Sequence, residues 1–211
     1  MVKIRQFQIL CGAADIVLHI SPHRVAEWIK IRPQGKNSQG NQPFRLNYQI
    51  TMEPGIMFED KITSIERLQS QISRLPKPVV LTNGVFDILH RGHVTYLEQA
   101  RALGASLVVA INTDASVKHL GKGDDRPVNT CEDRMAVVAA LESVSLVVAF
   151  DEDTALETVK IARPDIYAKG GDYQMDAIPE GKAVLAYGGR VEAITFKHDR
   201  STSKLLAKVR T

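Results

Sequence analysis

The sequence is poor in cysteine and in long apolar runs. It has two cysteines, Cys11 and Cys131, among 211 residues, too few for the disulfide framework of a secreted scaffold. No run approaches the roughly 18 apolar residues that a membrane-spanning helix needs. The first five residues lack the apolar core of a secretory signal. We therefore expect a cytoplasmic protein with reduced thiols and no membrane partner.

A strong net charge is also missing. The formal net charge is +3, and residues 1–56 hold the basic excess, with seven Lys or Arg against three Asp or Glu. Residues 57–211 carry 20 basic and 21 acidic residues, so this part offers no broad basic face for nucleic acid. Hydrophobic residues make up 44% and charged residues 24%, a composition that argues against wholesale disorder.

Two common nucleotide-binding motifs are absent as well. No Gly-x-Gly-x-x-Gly follows the apolar run at residues 79–81, which disfavours a dinucleotide-dependent dehydrogenase. No Walker-type Gly-Lys-Ser/Thr occurs, which excludes a P-loop kinase. No Cys or carboxylate set has zinc-like spacing to the histidines near residue 90, so we predict no metal held by the protein alone.

Residues 1–56 show no sustained helical or strand period. Within them, residues 33–43 form a polar segment that contains Gly and Pro, which is typical of a linker. From residue 62 to residue 75, apolar residues recur at steps of three or four and predict an amphipathic helix. We expect a poorly ordered N-terminal extension over 1–56, or an upstream start assignment, and one domain over 57–211.

From Pro78 onward, apolar runs of strand length alternate with helical patterns. The predicted strands are residues 79–81, 107–111, 146–150, 166–168 and 191–196. The predicted helices are residues 93–103, 114–120, 130–141, 154–162, 179–187 and 201–209. Strands that are apolar throughout and separated by helices predict a parallel sheet covered on both faces. The right-handed crossover rule gives a doubly wound, Rossmann-like α/β fold with five strands in the order 3-2-1-4-5.

The predicted strand order brings two distant loops together. In such a sheet the ligand crevice lies at the carboxyl ends of the strands, where the order reverses, here between the first and fourth strands. The first strand ends at Thr82-Asn83-Gly84, and the fourth ends at Lys169-Gly170-Gly171-Asp172-Tyr173. We therefore expect both loops beside one crevice.

Two histidines, His90 and His93, flank Arg91-Gly92 where a helix is predicted to start. A polyphosphate needs hydrogen-bond donors, positive charge and close approach of the backbone, and this segment supplies all three. Two isolated histidines would more often be a helix cap and an exposed side chain. The strand end before them and the glycine between them favour a nucleotide site.

The run Asn-Gly-Val-Phe-Asp-Ile-Leu-His-Arg-Gly-His at residues 83–93 resembles the signature of the HxGH nucleotidyltransferases, the cytidylyltransferase-like superfamily. The resemblance extends from about residue 62 to residue 209 and includes residues 112–118, 126–129, 134–135, 139–141, 169–173 and 201–204. Together with Lys-Gly-Gly-Asp-Tyr at 169–173, the signature resembles the heptose-1-phosphate adenylyltransferases of ADP-heptose synthesis. This implies transfer of AMP from ATP to D-glycero-D-manno-heptose 1-phosphate for lipopolysaccharide core precursors.

The resemblance also implies roles for individual residues. His90, His93 and Lys118 would be catalytic, stabilising the charge on the ATP phosphates; a solvated lysine is the alternative for Lys118. The expected nucleotide- and phosphate-binding residues are Thr82, Asn83, Gly84, Phe86, Gly92, Lys169, Gly170, Gly171, Asp172, Ser201, Thr202 and Ser203. Glycines permit close backbone approach, and hydroxyls at a helix start can hold phosphate, although a turn and a helix cap would use the same residues.

Three charged residues are candidates for substrate binding. Asp87 could orient a histidine, bind the sugar or cap the turn. Arg126 and Arg134 could bind phosphate, or pair with Glu132 or Asp133. The glycine-rich, charged loop over residues 121–126 could close over the substrate.

The resemblance further implies Mg²⁺ bound with ATP, a homo-oligomer with a dimer favoured, and a separate sugar kinase that supplies the sugar 1-phosphate. Two alternatives stay open at this point. One is an enzyme like the glycerol-3-phosphate cytidylyltransferases, which would use CTP. The other is a nucleotide-binding module without turnover.

Overall fold

The computed structural model describes residues 16–20, 27–34, 47–52, 57–121, 123, 125–172, 174–198 and 202–209. The chain divides into two compact units, residues 1–57 and 58–211. Each unit is described by itself.

The smaller unit contains an antiparallel sheet of three strands in the order β1-β2-β3. The strands are β1 (Ile16–Ile20), β2 (Glu27–Gln34) and β3 (Asn47–Met52). We did not expect these three strands, and a poorly ordered extension over residues 1–56 stays a prediction. The missed signal is the alternation of apolar and basic residues from Ile29 to Arg32, which is typical of a strand. The domain boundary and the possible upstream start stay predictions.

The larger unit contains a parallel sheet of six strands in the order β4-β7-β6-β5-β8-β9. The strands are β4 (Ile62–Thr63), β5 (Val79–Gly84), β6 (Ser106–Asn112), β7 (Leu146–Phe150), β8 (Ile166–Gly170) and β9 (Arg190–Ile194). The predicted α/β class is confirmed, and the five predicted strands keep the order 3-2-1-4-5 in their own numbering. The strand count was wrong by one, because β4 pairs with Val147 and Val148 at the sheet edge.

Seven α-helices are described in this unit. They are α1 (Ile65–Ile72), α2 (Arg91–Arg101), α3 (Asp114–His119), α4 (Cys131–Ala139), α5 (Leu156–Ala162), α6 (Pro179–Ala186) and α7 (Thr202–Val209). The helix predicted from residue 62 begins at Ile65, because the backbone of residues 62–63 pairs with β7. Each described helix is too short or too polar to cross a membrane. Cys131 is a free thiol, and Cys11 lies outside the described residues.

The hydrophobic core has one layer on each face of the sheet. Residues of α2 and α4 pack on one face, and residues of α1, α5 and α6 pack on the other. Successive residues of a strand point to opposite faces, so Val80 joins the first layer while Val79 and Leu81 join the second. Since both faces are covered, the central strands are apolar throughout instead of alternating.

Helix α6 approaches the backbone of the preceding loop so closely that its third residue must be glycine. A Cβ atom placed on Gly181 would lie 1.7 Å from the carbonyl oxygen of Met175. Backbone atoms cannot rotate aside as a flexible side chain can, so any larger residue must displace the helix or the loop.

We expect Gly181→Ala to lower the free energy of unfolding by about 1–3 kcal/mol, the usual cost of forcing extra atoms into a packed region. The matched control is Lys182→Ala, an exposed change in the same helix, which should stay within about 0.5 kcal/mol of the wild type. Denaturant titration measures both values. Equal stability of the two variants would show that α6 can move away from Met175.

Candidate active site

A cavity of about 430 Å³ opens at the carboxyl ends of β5 and β8. Asn83 and Gly84 from β5 line it, as do Lys169 and Gly170 from β8. These two strands are neighbours in the sheet, and the strand order reverses between them. The structure therefore brings together the two loops that the sequence analysis expected at one crevice. We call this space the first cavity.

The two histidines form a stacked pair at the start of α2. His90 is the N-cap residue, and its Nδ1 accepts a hydrogen bond of 3.4 Å from the backbone amide of His93. The imidazole rings lie 3.8 Å apart, centroid to centroid, at an angle of 15°, and His93 lines the first cavity. Because a helix start presents backbone amides and the positive end of the helix dipole, this corner of the cavity suits a polyphosphate.

The ring of Phe86 also contacts the ring of His93. The two rings meet edge-on, with centroids 5.4 Å apart. Phe86 has a φ of 50°, a left-handed conformation that costs energy for a residue other than glycine. A Cβ on Gly84 would lie 3.0 Å from the Phe86 ring. Gly84 therefore gives the Phe86 ring the space that it occupies beside the cavity.

Thr82 does not reach the first cavity, contrary to the expectation that it lines the nucleotide pocket. Its side chain is buried, and its hydroxyl lies 2.5 Å from the hydroxyl of Tyr96. Tyr96 lines the cavity instead and donates a hydrogen bond to the carbonyl oxygen of Ala168 at 3.4 Å. The sequence analysis missed Tyr96, although its position three residues after His93 places both on one side of α2.

Lys118 lines a second cavity, of about 320 Å³. It lies on α3 and is exposed. The other lining residues are Asp114, Asp125, Arg126, Pro127, Val128, Asn129 and Thr130. Leu120, the C-cap residue of α3, lines the first cavity, so α3 and its C-cap contribute to the walls of both. Two cations, Lys118 and Arg126, thus lie around the second cavity beside polar groups that can bind hydroxyls.

Asp87 is enclosed by the segment that lines the second cavity. Its side chain is 0% exposed. The carboxylate accepts hydrogen bonds from Arg126 Nε at 2.5 Å and from the backbone amides of Val128 and Asn129, each at 2.9 Å. Burial raises the pKa of Asp87, but these amides and Arg126 outweigh that effect and hold the pKa below its ordinary value. Protein groups engage both carboxylate oxygens, which favours a role of Asp87 in holding this turn over direct binding of the substrate.

Arg134 is also enclosed, which favours an ion pair over the phosphate contact that was the alternative for it. Its side chain is 0% exposed. It donates hydrogen bonds to the carbonyl oxygens of Val85 at 2.7 Å and Asn129 at 3.1 Å, and to Asp114 Oδ1 at 2.7 Å. The carboxylate that it pairs with is Asp114, not Glu132 or Asp133.

Arg126 keeps both roles that were considered for it. Its side chain is 8% exposed and pairs with Asp87, while the residue also lines the second cavity. It is the one of the three charged candidates that the structure leaves beside a cavity with access to a ligand.

Four further predicted residues are outside the lining of both cavities: Gly92, Gly171, Asp172 and Thr202. Gly92 is buried in the first turn of α2. Gly171 has a φ of 115° and its amide donates to the carbonyl oxygen of Ile194 at 2.9 Å, which explains the glycine. Asp172 is exposed and outside the lining of the first cavity. Thr202, the first residue of α7, donates to the carbonyl oxygen of Ile88 at 3.5 Å, near the histidine segment.

Some predictions fall outside the described part of the chain. These are Lys122, Asp124, Tyr173, Ser201 and the side chain of Ser203. Conversely, the first cavity has lining residues that the sequence analysis did not single out: Val85, Tyr96, Asn112, Leu120, Asp153 and Phe196.

The positive end of α2 and two imidazoles thus meet a cavity where the strand order of a doubly wound sheet reverses. This is the arrangement of an α/β enzyme that binds a nucleoside polyphosphate. The family profile described as Cytidylyltransferase-like matches residues 81–205, and the chain belongs to this family.

The chain is similar to two kinds of curated protein, one of about the same length as the matched region and one much longer. The chain is 57% identical over 155 residues to the D-beta-D-heptose 1-phosphate adenylyltransferase of Bordetella bronchiseptica, covering 72% of this chain and 96% of that protein. It is 47% identical over 156 residues to the bifunctional protein HldE of Actinobacillus succinogenes, covering 74% of this chain and 32% of that protein. The chain therefore spans about a third of the length of this bifunctional relative.

One solved structure is also similar. It is the lipopolysaccharide core biosynthesis protein of Thermoplasma volcanium GSS1, at 30% identity and a TM-score of 0.49. The match covers 58% of this chain and 98% of that one.

We expect Asp87→Asn to flatten the acid side of the stability profile. Because the folded pKa of Asp87 lies below 3.8, its ordinary value, the charged carboxylate stabilises the fold fully above that value. This stabilisation is lost as the pH falls through the folded pKa. The free energy of unfolding, measured from about pH 6 to pH 3, should therefore fall more steeply for the wild type than for the variant. Parallel profiles would contradict the assignment.

Proposed function

We propose that this chain transfers AMP from ATP to D-glycero-D-manno-heptose 1-phosphate, forming ADP-heptose and releasing pyrophosphate. The observation that carries the proposal is the stacked pair of His90 and His93 at the start of α2, beside the first cavity. The identity of 57% to a protein named D-beta-D-heptose 1-phosphate adenylyltransferase supports the acceptor and favours its β anomer. ADP-heptose would then serve as a precursor of the lipopolysaccharide core.

The reaction needs no covalent enzyme intermediate. An oxygen of the sugar phosphate attacks the α-phosphorus of ATP, the bond from that phosphorus to the β-bridging oxygen breaks, and pyrophosphate leaves in line. The attacking phosphate is already ionised near neutral pH, so the enzyme has no proton to remove. Catalysis then consists of positioning two polyanions and stabilising the charge of the transition state. In this scheme His93 and His90 supply donors and charge at the α-phosphate.

The two cavities offer one place for each substrate. The first cavity lies at the helix start and takes the phosphates of ATP, with Lys169 on its wall. The second cavity takes the sugar phosphate, because Lys118 and Arg126 supply two cations for its phosphate group. Asn129 and Thr130, on the same wall, supply hydrogen-bonding groups for sugar hydroxyls.

Mg²⁺ would enter the site on the phosphates of ATP. Among the residues that the structure describes, no group of three or more His, Cys, Asp or Glu is placed to hold a metal ion. Proteins often bind Mg²⁺ through substrate phosphates and only one or two carboxylates. Asp153, on the wall of the first cavity, is a carboxylate that could take part. Bound Mg²⁺ would neutralise charge on the phosphates.

Three expectations stay predictions alongside this proposal. They are the cytoplasmic location, the homodimer and the separate sugar kinase.

We expect His90→Ala and His93→Ala each to lower kcat by at least about a hundredfold, as removal of a charge-stabilising donor does. The control is Arg67→Ala, which removes an exposed side chain on α1, on the face of the sheet opposite α2, and should stay within about twofold of the wild type. Pyrophosphate release measures all three. Near-normal release by either of the first two variants would remove the central role of the pair.

The acceptor and the base are tested by a substrate matrix. ATP, CTP and GTP are each paired with the α and β anomers of the heptose 1-phosphate and with glycerol 3-phosphate. We expect the highest kcat/KM for ATP with the β anomer. Pyrophosphate from CTP and glycerol 3-phosphate alone would show a glycerol-3-phosphate cytidylyltransferase-like enzyme. Binding of ATP with no release from any pair would show a module without turnover.

A further inference from the structure

Asp87 connects the histidine segment with the wall of the second cavity. It lies between Phe86, which lines the first cavity, and His90. Its carboxylate accepts from Arg126 Nε and from the amides of Val128 and Asn129, and its own carbonyl oxygen accepts from Asn129 Nδ2 at 2.6 Å. One residue therefore holds the 126–129 segment through both its side chain and its backbone.

The connection is enclosed, which makes it stiff. The Asp87 and Arg126 side chains are 0% and 8% exposed. Hydrogen bonds to a charged group are stronger than neutral ones, and they gain further strength where water is excluded. Arg134 makes a second connection between the same two segments, because it donates hydrogen bonds to the carbonyl oxygens of Val85 and Asn129. The end of β5 and the 126–129 segment are therefore held at a fixed distance from each other.

A fixed distance between these segments matters for the proposed reaction. An oxygen of the acceptor must lie in line with the α-phosphorus, and a misplacement of about 1 Å can cost a hundredfold in rate. The histidine pair locates the ATP phosphates, whereas Arg126 and its neighbours locate the acceptor. Asp87 contacts Arg126 and its neighbours directly, and it lies three residues before His90 in the sequence.

We propose that Asp87 is a positioning residue that sets the acceptor subsite in the second cavity against the histidine pair. It acts through Arg126 and the amides of Val128 and Asn129, and it contacts neither substrate. This inference rests on the proposed function and adds a selective consequence. Loss of the Asp87 contacts impairs use of the sugar phosphate far more than it impairs binding of ATP.

Asp165, the residue before β8, provides a control at the other end of β5. It too is a carboxylate that accepts from a backbone amide, that of Val79 at 2.7 Å, and it pairs with Lys77 at 3.3 Å. These contacts lie at the start of β5, whereas Asp87 follows its end. Asp165→Asn therefore removes a similar set of bonds from the opposite end of the strand.

The test measures binding and turnover separately in four variants: Asp87→Asn, Arg126→Met, the double variant and Asp165→Asn. Calorimetry gives the Kd of ATP, and pyrophosphate release gives kcat and the KM of the heptose 1-phosphate. We expect Asp87→Asn to raise that KM about tenfold or more and to lower kcat, while the Kd of ATP changes less than about threefold. The effects of the two single changes should not add fully in the double variant, because each one already breaks the Asp87–Arg126 pair. Arg126→Met should be the more severe single variant, because it also removes a cation from the second cavity. Asp165→Asn should keep wild-type constants.

Several results would overturn the proposal. Wild-type constants in a folded Asp87→Asn variant with a lowered Tm would mean that Asp87 only stabilises the fold. A raised KM in Arg126→Met but not in Asp87→Asn would mean that Arg126 acts on the substrate alone. An equal loss of ATP binding would remove the selectivity. If Asp87→Asn does not fold, Asp87→Glu keeps the charge but displaces the carboxylate from Arg126 and the two amides, and it should raise the KM by a smaller factor; an unchanged KM there contradicts the proposal.

Failure of the proposed function gives a different result. A wild-type protein that releases no pyrophosphate from ATP and any heptose 1-phosphate overturns both proposals. An active wild type with selective effects absent overturns the role of Asp87 alone.

Discussion

Strand β5 pairs in parallel with β6 on one side and with β8 on the other, and this pairing decides where a ligand can lie. The helix after β5 is α2, and it packs in the first core layer. The helix after β8 is α6, and it packs in the second core layer, on the opposite face of the sheet. The carboxyl ends of β5 and β8 therefore meet where the chain diverges. The first cavity opens at this point, with Gly84 and Gly170 on its wall. His93 lines the cavity because α2 is the next helix after β5.

Two enclosed charges give this end of the sheet its geometry. A buried carboxylate or guanidinium is tolerated only when it is paired and hydrogen-bonded, and removal of one partner typically costs about 3–5 kcal/mol. Asp87 meets this requirement through Arg126 and two backbone amides, and Arg134 meets it through two carbonyl oxygens and Asp114. Because these partners belong to the walls of both cavities, the contacts that satisfy the charges also fix the distance between the cavities. Stability and site geometry here depend on the same bonds.

The sequence predicted most of the sheet, because central strands covered on both faces are apolar throughout and the crossover rule leaves few orders. It could not predict β4, whose two residues are too few to show a period. In the site, residue type and spacing predict His90 and His93 and the strand ends, and the structure has His93 and the ends of β5 and β8 on the wall of one cavity. The same information could not separate side chains that face a cavity from those that are enclosed, which is why Thr82, Asp87 and Arg134 were assigned to ligands. Tyr96, Asn112 and Phe196 reach the cavity only through the fold, so their spacing alone carried little signal.

The reaction that we propose makes a phosphate oxygen of the sugar the new bridge to the α-phosphorus of ATP, and oxygen labelling tests this. Heptose 1-phosphate with ¹⁸O in its phosphate is incubated with ATP, Mg²⁺ and the enzyme, and the products are examined by mass spectrometry and ³¹P NMR. We expect ¹⁸O in the oxygen that bridges the two phosphorus atoms of the sugar nucleotide, and unlabelled pyrophosphate. Label in the pyrophosphate, or a sugar nucleotide with an unlabelled bridge, would contradict it.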